Sequence, residues 1–110
     1  MNTPTHFSWP GYDHNDSTHR LITAYLTLDI QKSMEATTEL LDSIQAVQTG
    51  RITEWERIGN AYCLRLLPEF AEIEEDYAEE PGMPIAIPMP LFTAAVSAWH
   101  QQLVDTLKNS

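Results

Sequence analysis

The sequence predicts an α+β fold, a mostly antiparallel sheet of four to five strands packed against two helices. Three observations point there. Residues 29–49 carry apolar side chains at three- and four-residue spacing, the period of a helix face. Residues 51–77 switch to two-residue alternation, cut by the turn pairs Gly59-Asn60 and Pro68-Glu69. A second helical stripe begins after Pro90. The 110 residues, 43% of them hydrophobic, suit one domain spanning 1–110 with a modest core.

Taken in order, residues 1–19 are polar and rich in turn formers: Pro10-Gly11, then Asp13, Asn15, Asp16 and Ser17. Phe7 and Trp9 share a parity, as do Leu21, Thr23 and Tyr25. Two readings fit this: a hairpin with a long loop, or a flexible tail joined to a strand at 20–27. In the helix expected at 29–49, Ile30, Met34, Thr37, Leu41, Ile44 and Val47 make the apolar face, and Gly50 supplies the stop. Strands are expected at 51–58, with Trp55 as the large apolar residue, at 61–67 and at 70–77. In the last of these, Ala71, Ile73 and Tyr77 face one way and Glu72, Glu74 and Asp76 the other. Residues 85–87 lie between prolines, which suits a short edge strand. Phe92, Val96, Trp99, Leu103 and Leu107 form the stripe of the final helix. Trp55 and Trp99, each on the apolar side of its element, are both expected to be largely buried.

Charge is distributed on one side of the chain. The formal net charge is −10, and residues 66–107 contain no Lys or Arg. The same stretch holds Glu69, Glu72, Glu74, Glu75, Asp76, Glu79, Glu80 and Asp105. Such a surface repels nucleic acid and anionic membranes and attracts basic surfaces. A solvated acidic face kept for solubility is the plainer explanation of the same run. No apolar stretch approaches the ~20 residues of a membrane span. Residues 1–10 have neither a basic n-region nor an apolar run, so no signal peptide is expected. The single cysteine, Cys63, permits no intrachain disulfide and fits a reducing cytoplasmic setting.

The residues that carry chemistry elsewhere do not assemble into a reaction centre here. His6, His14 and His19 match no metal-ligand spacing, and His100 sits beside Trp99 on a helix. Cys63 lies mid-strand in an acidic neighbourhood, which disfavours a thiolate, so a buried structural role is expected. Adjacent Glu74 and Glu75 face opposite sides of a strand and cannot converge on one ligand. A calcium-binding loop, a glycine-rich phosphate loop and a serine-triad signature are all missing. No cofactor, metal or catalytic residue is therefore expected.

The order of motifs carries one resemblance. Leu40-Leu41 runs to Gly50, followed by Glu54-Trp55-Glu56, Gly59-Asn60-Ala61-Tyr62, Ile73-Glu74-Glu75-Asp76-Tyr77 and Pro90-Leu91-Phe92 leading to Ala98-Trp99. Over residues 40–107 this resembles the small bacterial YacL-like and contact-dependent growth inhibition immunity proteins. The resemblance implies a cytoplasmic antitoxin that binds a toxic effector domain, often a basic nuclease, without being an enzyme itself. It also leaves room for a YacL-like protein with a housekeeping role. A small carboxylate- or metal-dependent enzyme is the reading from another class. The partner-binding residues expected on charge and position are Glu72, Glu74, Asp76, Tyr77, Glu79 and Glu80. Three of them, Glu72, Glu74 and Asp76, would stand about 7 Å apart along a strand, close to the spacing of phosphates on nucleic acid. The expected partner is a basic toxin domain, with no nucleic acid, membrane or small-molecule substrate.

Overall fold

A computed structural model describes residues 7–75 and 84–108. The chain runs α1 (Ser17–Tyr25), a π-helical turn (Leu26–Ile30), α2 (Met34–Gln48), β1 (Trp55–Ile58), β2 (Tyr62–Leu66), β3 (Phe70–Glu75), β4 (Ile85–Pro88) and α3 (Met89–Lys108). The four strands form one antiparallel sheet in the order β1-β2-β3-β4, so the fold is α+β. Four strands, rather than five, make up the sheet among the described residues, and three helices rather than two pack on it.

The extra helix replaces the strand expected at 20–27. Asp16 caps α1 by accepting from the backbone N–H groups of Thr18 and His19. Ile22, Tyr25 and Leu26 then recur at helical spacing, and all three are fully buried. The parity of Leu21, Thr23 and Tyr25 was misleading, because Leu21 and Thr23 are only half-buried. Burial pushes the Tyr25 phenol well above its ordinary range, against the opposing pull of Arg57, so it stays neutral.

The helix expected at 29–49 is interrupted. Gln31 N–H donates to Leu26 O at 2.7 Å, a five-residue reach that widens the end of the first helix. Gln31 itself has φ 59°, a left-handed backbone that ends the run. α2 restarts three residues later under a Ser33 cap, whose hydroxyl accepts from Ala36 N–H at 3.0 Å. Thr37, Leu40, Ile44 and Val47 are buried on it, while Leu41 and Met34 are only partly covered. Gly50 stops α2 with φ 79°, as expected.

The sheet turns one face to the helices. Leu64, Leu66, Ala71, Ile73 and Ile87 point inward and are essentially fully buried. α3 closes this core with Met89, Phe92, Ala95, Val96 and Trp99. Pro90 sits in its first turn, and Met89 N–H donates to Glu69 O at 2.9 Å, tying the helix to the β2–β3 turn. Two expected core positions are corrected. Leu107 is 63% exposed, because α3 runs past the end of the sheet, and Trp55 is only half-buried, because β1 lies at the sheet edge.

The N-terminal segment, from Phe7 onward, is neither hairpin nor tail. Phe7 and Trp9 are buried, and Phe7 meets Trp99 edge to face at 4.9 Å between ring centroids. Tyr12 stacks on His19, whose Nδ1 accepts the Asp13 backbone N–H at 2.9 Å. This aromatic cluster lies on the helix side, and among the described residues the other face of the sheet is open.

Candidate binding face

Strand alternation places Glu56, Ile58, Cys63, Arg65, Glu72 and Glu74 on the face opposite the helices. The register sets them in rows: Ile58, Cys63 and Glu74 in one, Glu56, Arg65, Glu72 and Ala86 in the next. Phe70 and Pro88 pair beyond these. Nothing among the described residues packs over this face. Ile58 is 77% exposed and Phe70 42%. A shallow depression of about 230 Å³ lies between the rows, lined by Glu56, Cys63, Arg65, Glu72, Glu74 and Pro84.

One cation sits in the middle of these carboxylates. Arg65 Nε donates to Glu54 Oε2 at 2.6 Å, and its Nη1 lies 3.8 Å from Glu72 Oε1. Hydrogen bonding to Glu54 raises the Arg65 pKa further, so its charge is permanent. Arg65 offsets one of the four carboxylates of Glu54, Glu56, Glu72 and Glu74, and the face stays net acidic.

Among the six partner-binding residues expected from sequence, Glu72 and Glu74 stand on this open face as expected. Asp76, Tyr77, Glu79 and Glu80 lie outside the described residues. Glu54, Glu56, Arg65 and Ile58 were missed. The signal for Glu54 and Glu56 was available in the alternation around Trp55, but the position of β1 beside β2 comes only from the turn between them.

That turn is rigidly held. Asp29, in the π-helical turn, is 6% exposed, and its carboxylate accepts from Ala61 N–H at 2.8 Å and Tyr62 N–H at 3.0 Å. Gly59 N–H donates to Tyr62 O at 2.9 Å and closes the hairpin. Gly59 is required here, since an added Cβ would lie 2.6 Å from Asp29 Cγ.

The groups that suggest catalysis are placed differently. Cys63 is half-buried on the open face, not in the core as expected, because odd-numbered residues of β2 point away from the helices. His14 and His19 brace the N-terminal segment: His14 O accepts from Arg20 Nη1, and His19 packs against Trp9 and Tyr12. Burial, with the nearby Glu75 and Asp29 carboxylates, raises the Tyr62 phenol pKa, which keeps it from exchanging protons near neutrality. Among the described residues, no three His, Cys, Asp or Glu side chains are grouped to hold a metal ion. No helix there is long and apolar enough to cross a membrane.

Comparison with known proteins is silent. No family model, curated protein or solved structure matches this chain.

Proposed function

We propose that this chain is an immunity protein of the cytoplasm, which binds and neutralises a basic toxin domain through the open face of its sheet. The observation that carries the reading is a sheet face that no described residue covers, with four carboxylates around one arginine, flanked by the exposed apolar side chains of Ile58 and Phe70. Carboxylates supply orientation and a fast encounter with a basic partner. Exposed Ile58 and Phe70 supply apolar area to bury on either side of the charged row. The −10 net charge acts in the same direction at longer range.

The test uses the C-terminal domain encoded by the open reading frame directly upstream, produced with and without this chain. Growth should be lost with that domain alone and restored by co-expression, and the two should form a stable complex. Association should slow as salt rises, since the reach of exposed charge shortens to ~8 Å at physiological ionic strength. Reversing Glu56, Glu72 and Glu74 to Lys should leave the thermal midpoint within a few degrees, because exposed ion pairs contribute about 0–1 kcal/mol. The same variant should lose protection, with an association rate lower by at least about tenfold. Full protection by the triple variant would move the interface off this face.

A further inference from the structure

The two edges of the sheet differ in what they offer a further strand. Antiparallel strands alternate between residues that exchange both backbone hydrogen bonds and residues that exchange none. Three bonds fix this phase. Gly59 N–H donates to Tyr62 O at 2.9 Å, Leu67 N–H to Phe70 O at 2.8 Å, and Met89 N–H to Glu69 O at 2.9 Å. Counting inward from each, Arg57 bonds with Leu64, Glu72 with Arg65, and Ala71 with Ile87. The three phases agree, since each residue of β2 and β3 that bonds to one neighbour turns its back on the other.

At the β4 edge, the residues with outward-facing backbone are Ala86 and Pro88, and Pro84 has the same parity just ahead of the strand. Proline has no N–H to give. Two of these three positions are therefore unable to donate to an incoming strand, a device that closes an edge against pairing.

At the β1 edge, the outward positions are Glu56 and Ile58. Both retain their N–H, both side chains are exposed, and β1 contains no proline. Their side chains also point to the open acidic face, so that face and this edge form one continuous surface.

We propose that the partner binds by adding an extended segment to the outer edge of β1, which no described strand pairs, with a basic residue opposite Glu56 and an apolar residue opposite Ile58. This rests on the reading of the face as a docking site for a basic protein. Charge selects the occupant: Glu54 is paired to Arg65 on the outer side of the edge and Glu39 to Arg57 at 3.3 Å on the inner side, which leaves Glu56 as the carboxylate of this edge without an ion pair among the described residues. A second copy of this chain would bring Glu56 against the same acidic edge and is disfavoured. The backbone bonds give affinity, and the cross-strand pairs give register.

The experiment measures binding of the upstream-encoded domain to wild type, E56Q and E56P. E56Q removes the charge and keeps the N–H; E56P also removes the outward N–H, which no bond within the sheet uses. E56P should therefore unfold near the wild-type temperature, yet bind at least about tenfold more weakly than E56Q. Hydrogen exchange gives a second readout. The Glu56 and Ile58 amides should exchange faster than that of Arg57 in the free protein and become protected in the complex. Equal affinities of E56P and E56Q, or complexed Glu56 and Ile58 amides that still exchange freely, overturn edge pairing and leave face docking standing. A wild-type chain that does not bind the domain overturns both. A homodimer that buries β1 also overturns the proposal.

Discussion

Replacing Trp99 with Ala should lower stability by about 3–5 kcal/mol, the range for truncating a buried tryptophan. The residue is 7% exposed and does three things at once. Its ring fills the space between α3 and the N-terminal segment, meeting Phe7 edge to face. Its Nε1–H donates to Gln31 O at 2.9 Å, across 68 residues of sequence. That carbonyl belongs to the residue with φ 59°, so the bond helps to hold an unfavourable backbone in place. A drop of roughly 15 °C in the thermal midpoint is expected for a domain of this size. Trp99→Phe should recover the packing but not the hydrogen bond, and fall between the two. An unchanged midpoint in the alanine variant would mean that α3 does not dock as described.

Asp29→Ala should cost roughly 3 kcal/mol, because it removes the acceptor for two backbone donors that have no other partner in the turn. Asp29→Asn keeps one oxygen and should lose about half as much. Gly59→Ala attacks the same contact from the other side by pushing its methyl into the carboxylate. The two changes should therefore not add: on an Asp29→Ala background, Gly59→Ala should be nearly neutral. Additive losses measured by chemical denaturation would show that the glycine acts through some other neighbour.

The parts of the fold that were legible in the sequence are those set by local rules. Alternation over Tyr62, Leu64 and Leu66, and over Ala71 and Ile73, identified the inner faces of β2 and β3, which also put Glu72 and Glu74 outside. Gly50 and Pro90 marked helix ends through backbone chemistry alone. Prolines around Ile85 to Ile87 identified an edge strand. What failed depended on distant contacts. The sequence of helix α1 also suits a strand, because Leu21, Thr23 and Tyr25 alternate, and only the burial of Ile22 and Leu26 decides between the two periods. Phe7 docks on Trp99 of α3, more than 80 residues away, which no local pattern records. The candidate face was half legible: two of its carboxylates followed from β3 alone, whereas Glu56, Ile58 and Arg65 join them only through strand pairing.

The π-helical turn at Leu26–Ile30 fixes the length of the chain at this point. Removing one residue from it would let the first helix continue with ordinary geometry, a locally favourable change. The remaining residues of the turn would then be redistributed around the helix axis, since an α-helical turn closes over one residue fewer than the π-helical one. Asp29 would swing away from Ala61 and Tyr62, and the Gln31 carbonyl would leave Trp99. At its exposed positions, Thr27 and Leu28, the turn should therefore tolerate changes of residue type far better than changes of residue number, the reverse of an ordinary surface loop. A library of single-residue deletions across 24–33, scored for soluble protein, should show this as a sharp gap centred on the turn.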